Sequence, residues 1–196
     1  PILIALAATS MAFVHAQSPS RRAPLGDAEI DAIAHLLKLE DTRQFDEAAL
    51  GRLVASPHRE VRRRAVVAVG RIVDPRGRAL LEGARAEKDP EILATIAFAT
   101  GQLKDAGAIP WLAGLMSAPA TPRAAAFEAA RALGKLRVPE ARSALAAYLT
   151  TAPATAAAAP VVGEALLSIG RFPPPGDMAP VVKWIASTNV ELRWRA

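Results

Sequence analysis

The chain has no cysteine and few aromatic residues. The absence of cysteine from all 196 positions excludes disulfides, thiol catalysis and cysteine-based metal sites, although it does not settle the redox compartment. Aromatic residues make up only 5% of the chain, whereas 52% of it is hydrophobic and alanine is very common. An alanine-rich core suits closely packed helices better than a sheet sandwich. The composition therefore favours one ordinary helical domain.

The charge of the chain is basic but mixed. The formal net charge is +5 and the sequence pI is about 10.2, with arginine far commoner than lysine. Such a balance is compatible with binding to nucleic acid or to an anionic surface. Aspartate and glutamate recur throughout, however, so a general preference for arginine explains the excess better.

The first residues are predicted to be a secretory signal peptide. Residues 1–16 form an uncharged apolar run that is short for a bilayer span and ends in Val14-His15-Ala16, a pattern that signal peptidase accepts. We expect cleavage after Ala16, a polar linker over residues 17–26 and a periplasmic or secreted protein without a stable membrane anchor. The alternative is a buried N-terminal helix or a membrane anchor. The missing initiator Met and basic leader indicate truncation at the start.

Four glycines mark an internal repeat. Gly70, Gly101, Gly134 and Gly170 are separated by 31, 33 and 36 residues, and each follows an apolar stripe of helical period. Such a glycine allows close packing or assists helix termination. The positions five before each glycine, predicted to be equivalent buried sites, are Ala65, Ile96, Ala129 and Ala165. Two helices per 31 to 36 residues predict an all-α fold, an α-solenoid of stacked antiparallel hairpins.

The repeats resemble HEAT repeats. The segments "REVRRRAVVAVGRIVD" and "DPEILATIAFATGQLKD" match that family best, with Val61-Arg62 in the family's Val-Arg position. The resemblance covers roughly residues 46–196 and implies a solenoid over residues 27–196 of about five hairpins. The last hairpin is incomplete, so we expect the fold to be truncated at its C-terminal end.

The resemblance also implies a binding surface, because HEAT solenoids line their concave side with the second helix of each hairpin. Apolar and basic side chains fall on the exposed side of these helices, which suits a protein or peptide partner. The predicted partner-binding residues are Arg63, Arg64, Phe98, Phe127, Arg131 and Leu167. The alternative is that another part of a longer chain covers this surface.

The densest basic run, "HREVRRR", has two interpretations. It could bind phosphates, but no aromatic residues are interleaved for base stacking. In HEAT repeats an arginine at the position of Arg62 bonds to neighbouring turns, so a structural role is favoured. With the export signal, this argues against nucleic acid as a partner.

Catalytic motifs are missing. The sequence contains neither Gly-x-Ser-x-Gly nor a phosphate loop. His35 and His58 lack the spacing of paired metal ligands, and surface or interfacial positions suit them better. Glu128 and Glu164 hold equivalent repeat positions and could form an acid–base pair, although a solvated helix face is favoured. We expect no catalytic residue, metal or cofactor in this stretch.

The order of segments resembles a second group of proteins. A signal peptide, then "HLLKLEDTRQFD", then arginine-rich HEAT repeats is similar to the N-terminal half of exported bacterial proteins that end in a cyclophilin-type peptidyl-prolyl isomerase domain. The resemblance implies that the HEAT part is non-catalytic and that any enzyme activity lies beyond this stretch. The alternative is a stand-alone exported adaptor with only protein partners.

Overall fold

The fold is described from a computed structural model, which covers residues 24–173 and 176–196. The predicted signal peptide lies outside these residues. The described helices are α1 (Asp27–Thr42), α2 (Glu47–Val54), α3 (Arg59–Ile72), α4 (Gly77–Gly83), α5 (Pro90–Gln102), α6 (Ile109–Ser117), α7 (Arg123–Leu136), α8 (Pro139–Thr151), α9 (Ala159–Ile169), α10 (Ala179–Ile185) and α11 (Val190–Arg195). A short 3₁₀ turn, Ala106–Ala108, precedes α6.

The helices stack in two rows. The first row contains α1, α3, α5, α7, α9 and α11, each packed on the next. The second row contains the connecting helices, in which α2 packs on α4, α6 on α8 and α8 on α10. Contacts between α2 and α3, α6 and α7, and α8 and α9 join the rows into hairpins. The predicted all-α solenoid is confirmed.

The repeat frame defines the core. Ala65, Ile96, Ala129 and Ala165 each have 0% of their surface exposed, so the four predicted equivalent sites are confirmed. Each lies on a first-row helix. At three of these sites the side chain is alanine, which allows the first-row helices to approach closely.

Three of the four repeat glycines serve close packing. A Cβ built at Gly70 would lie 2.8 Å from the Cβ of Ala99, and one at Gly134 would lie 2.6 Å from that of Ser168. Gly101 meets α7 in the same way, with a Cβ 2.8 Å from Ala132. These glycines lie inside their helices, before the last residue. Only Gly170 terminates a helix, as the C-cap of α9. A Cβ built there would lie 3.6 Å from its nearest neighbour, the carbonyl oxygen of Leu167.

A left-handed residue ends several first-row helices. Val73, Lys104 and Arg137, each three positions after a repeat glycine, have φ values of 61°, 48° and 54°. Arg43 has φ 53° at the end of α1, so Glu40 stands where the later repeats have glycine. Helix α1 is therefore the first member of the same row, although its sequence lacks the glycine.

The last hairpin is covered on one side only. Helix α11 packs on α9 and α10, and no further hairpin follows among the described residues. Large apolar side chains are accordingly exposed there, with Trp194 the most exposed at 84%, together with Met178, Val182, Ile185 and Val190.

Candidate protein-binding surface on the first row

The predicted surface is less apolar than the sequence indicated. Leu167 is exposed, with 45% of its surface accessible, but Phe98 and Phe127 are only partly exposed. The Nζ of Lys135 lies 4.6 Å from the centroid of the Phe98 ring, and the guanidinium carbon of Arg131 lies 4.8 Å from that of Phe127. Cations thus cover both rings, and of the three apolar predicted residues Leu167 is the one that is exposed rather than half-buried.

The basic run on α3 is paired with carboxylates. Arg63 donates two hydrogen bonds to Glu60, at 3.0 and 2.6 Å, and Arg64 donates a third, at 3.3 Å. Arg59 bonds to both Asp89 and Glu91 in the next repeat. Because these guanidinium groups already have counterions, the run is not an open phosphate-binding surface. The binding role of Arg63 and Arg64 stays a prediction.

Arg62 has the structural role that the sequence favoured. Its Nη1 donates to the carbonyl oxygens of Ser56 and Pro57, both at 3.0 Å, and its Nε donates to Glu87 at 3.0 Å. One side chain therefore joins the turn before α3 to the turn before α5. The expectation that this arginine bonds to neighbouring turns is confirmed.

Three of the six predicted residues meet in one groove. Phe127, Arg131 and Leu167 line a cleft of about 510 Å³ between α7, α9 and α11, which we call the binding groove. The other lining residues are Ala159, Pro160, Glu164, Asn189, Glu191, Leu192 and Arg195. Arg63, Arg64 and Phe98 belong to earlier helices and lie outside it. Sequence reasoning missed the α11 residues, although Leu192-Arg193 repeats the apolar–arginine pair of Val61-Arg62 and was a usable signal.

An ion cluster surrounds Glu164, a buried residue that lines the binding groove. Glu164 is only 3% exposed and accepts contacts from Arg131 Nε at 3.4 Å and Arg171 Nη2 at 3.5 Å. Arg131 also holds Glu128, with 3.0 Å between Nη1 and Oε1. The Ser168 hydroxyl donates to Glu164 at 3.4 Å. The arginine thus bridges two carboxylates on adjacent helices.

The solvated position favoured for Glu128 and Glu164 is therefore wrong. The close approach of α7 and α9, which Gly134 permits, places both carboxylates between helices. Burial raises the pKa of Glu128, and its Oε2 is buried without a hydrogen-bond partner among the described residues. Because Arg131 neutralises the pair, the arrangement is that of an ion-pair network rather than of a general acid and base sharing a proton.

Neither His35 nor His58 belongs to a cluster of possible metal ligands in the described residues. His35 is exposed, whereas both ring nitrogens of His58 are buried without a hydrogen-bond partner in the described part of the chain. Residues 24–173 and 176–196 contain no group of three or more side chains able to hold a metal ion. Over the same residues, no helix has both the length and the apolar character needed to span a bilayer.

Comparison with protein families identifies the class of repeat. The model of HEAT repeats matches residues 47–130 and, in a second register, residues 77–162. The matches together cover more than half of the chain, and the two rows of helices agree with them. This chain belongs to the HEAT-repeat family. No curated protein matches the sequence. HEAT repeats generally mediate protein interactions, so the family directs attention to surfaces rather than to a catalytic site.

Proposed function

We propose that this chain is a protein-binding scaffold that holds a polypeptide in the binding groove between α7, α9 and α11. The carrying observation is the exposed Leu167 beside Phe127 and Arg131 in a cleft of about 510 Å³. Apolar anchors inside a cleft, surrounded by polar groups, are where binding energy concentrates in interfaces. A cleft of this size admits a few side chains of a partner rather than a whole domain.

The chemistry of the groove indicates what such a segment would present. An apolar partner side chain would pack on Leu167 and on the edge of Phe127. Asn189, Glu191 and Arg195 form a polar rim in which Arg195 pairs with Glu191 at 2.7 Å and Asn189 caps α11, so a partner backbone would use their remaining hydrogen-bonding capacity. Arg131 would contribute less, because it is already held by Glu128 and Glu164.

The proposal also covers where the scaffold acts and which larger protein it belongs to. The apolar run over residues 1–16 supports export to the periplasm or beyond, where the partner would also be found. The order of segments supports a role as the non-catalytic arm of an exported peptidyl-prolyl isomerase. The second candidate is a stand-alone exported adaptor. Isomerase activity of the full-length protein on a prolyl peptide would favour the first, and its absence the second.

Capture by paired variants tests the binding proposal. Full-length protein would be immobilised and natural partners captured from periplasmic or secreted extract, with each bound protein quantified separately. Phe127→Ala with Leu167→Ala should weaken capture of specific partners by tenfold or more, since truncating interface anchors costs about 2 kcal/mol. Arg63→Ala with Arg64→Ala is the comparison variant, because its residues lie outside the groove.

The test depends on which double variant loses more partner capture. Retained capture by the arginine variant and loss by the apolar variant would support the proposal. The reverse order, together with steep loss of binding to DNA as salt rises, would indicate nucleic-acid binding and contradict it. Thermal melting of both variants checks that each is folded.

A further inference from the structure

A second groove, separate from the binding groove, is strongly basic. It crosses the C-terminal ends of α5, α7 and α9, has a volume of about 470 Å³, and is lined by Gly101, Gln102, Lys104, Gly134, Lys135, Arg137 and Arg171. We call it the basic groove. Four of these residues are cations, and none is a carboxylate. Such a concentration of one sign attracts anions over several ångströms.

The equivalent groove two repeats earlier, across α1, α3 and α5, is electrically balanced. It has a volume of about 540 Å³ and is lined by Leu37, Glu40, Asp41, Arg43, Gly70, Arg71, Val73 and Gln102. Here Arg71 pairs with Glu40 at 2.9 Å, and Arg43 donates to the carbonyl oxygen of Arg71. The two grooves occupy the same repeat positions, so the charge of the basic groove is not a requirement of the fold.

Helix capping does not explain the cations either. Basic side chains near a helix C-terminus interact favourably with its dipole and its unpaired carbonyl groups. Yet Val73 caps α3 in the same left-handed conformation in which Arg137 caps α7 and in which Lys104 follows the C-cap of α5. Moreover, the side chains of Lys104 and Arg137 are exposed and have no hydrogen-bond or ion-pair partner among the described residues.

The remaining two cations are only partly neutralised. Lys135 Nζ donates to the neutral amide of Gln102 at 3.1 Å and lies over the Phe98 ring. Burial lowers the pKa of Lys135, so a bound anion would favour its charged form. Arg171 shares the buried Glu164 with Arg131 and donates to the carbonyl oxygen of Arg131 at 3.4 Å. A bound anion would therefore gain more here than in the balanced groove.

We propose that the basic groove binds an acidic segment of the partner protein, through carboxylates placed against Lys104, Lys135, Arg137 and Arg171. The inference rests on the proposed protein-binding function, but uses residues outside the binding groove. Charge complementarity favours an acidic peptide, and four cations spread over the ends of three helices suit several separate carboxylates rather than one phosphate. Nucleic acid fits less well, because no aromatic residue lines the groove for base stacking and Lys135 already covers the Phe98 ring.

Titration of the full-length chain with a hexaglutamate peptide tests this inference. The variant Lys104→Ala with Arg137→Ala should bind about tenfold more weakly, and affinity for the wild type should fall as salt rises. Arg52→Ala with Arg123→Ala is the matched control. It removes the same net charge from exposed positions that also lack described partners, and should bind as the wild type does.

The outcomes separate this inference from the proposed function. Loss of peptide binding in the first variant alone supports the acidic-segment site. No binding by the wild type, equal loss in both variants, or preference for inorganic phosphate or a DNA oligonucleotide over hexaglutamate would overturn it. Peptide binding by Phe127→Ala with Leu167→Ala should be unchanged. If that variant captures partners as well as the wild type does, the binding-groove proposal fails and the acidic-segment inference stands.

Discussion

The helix pairs α3–α5 and α7–α9 pack in the same way, but the pKa of a carboxyl group is lowered in the first pair and raised in the second. In both pairs a repeat glycine lies against a small residue of the next helix, Gly70 on Ala99 and Gly134 on Ser168. In the first pair, a hydrogen bond from Arg59 holds the pKa of Asp89 below its usual value. In the second pair, burial raises the pKa of Glu128. The repeat thus determines how close two helices lie, while individual side chains determine which charges their interface tolerates.

The shared packing should show as the largest effect in both pairs. Gly70→Ala and Gly134→Ala each place a methyl group within 3 Å of the next helix, so each should lower the free energy of unfolding by about 2 kcal/mol or more. Gly114→Ala on α6 is the matched control. A Cβ there meets nothing within 4 Å, so stability should rise by about 0.5 to 1 kcal/mol. Urea unfolding measures all three.

A Gly134→Ala variant as stable as the wild type would show that α7 and α9 do not need the close contact. An effect in only one of the two pairs would end the claim that their packing is equivalent.

The opposite pKa shifts of Asp89 and Glu128 predict that two amide substitutions change stability in opposite directions. Asp89→Asn keeps the oxygen that caps α5 but loses the charge that pairs with Arg59, so stability at pH 7 should fall by about 1 kcal/mol. Glu128→Gln removes a buried charge, and Arg131 keeps Glu164 as a partner, so stability should rise by a similar amount. Thermal or urea unfolding at pH 7 measures both, and equal signs would contradict the comparison.

The pH dependence of the same variants sharpens the test. The pKa of Asp89 is lowered in the fold, so its contribution is present above the unfolded pKa of about 3.9 and is lost as pH falls through the folded value. The pKa of Glu128 is raised, so its penalty is absent below about 4.3 and grows as pH rises through the folded value. Both differences from wild type should therefore shrink in acid. Urea unfolding at several pH values from neutral to acid measures them.

The smallest effect concerns the left-handed helix ends. Val73→Gly should raise stability by about 0.5 to 1 kcal/mol, because a β-branched residue is strained at φ 61° and glycine is not. Arg137→Gly at the end of α7 should gain less, since its side chain is unbranched at Cβ. Thermal unfolding compares the two. A larger gain at Arg137 would mean that charge repulsion in the basic groove, not backbone strain, dominates there.

The parts of the fold that sequence predicted are those that depend on local spacing. The four buried sites and the close-packing glycines follow from a helical period and a residue without a side chain, both visible in the sequence. The burial of Glu164 could not be predicted in this way, because it depends on arginines from α7 and from the turn after α9 meeting one carboxylate. Likewise, α1 joined the first row without the repeat glycine, since Glu40 holds that position.

The candidate site was predicted in part for the same reason. Counting positions within one repeat placed Phe127, Arg131 and Leu167 on one side of their helices, and the structure brings them together. Counting could not show that Lys135 covers Phe98, because that cation comes from a different helix, whereas the cover of Phe127 by Arg131 four residues later was within its reach. The two exposed cations of the basic groove were missed because each is unremarkable within its own repeat.

The central claim is that the groove between α7, α9 and α11 holds a polypeptide, and photocrosslinking from inside it tests this most directly. A photoreactive side chain would replace Leu167 in the full-length protein, with a control at Gly114, an exposed position on the second row. The account predicts discrete protein adducts from position 167 that Phe127→Ala reduces, and few from position 114. Equal adducts from both positions, or adducts from position 114 alone, would contradict it.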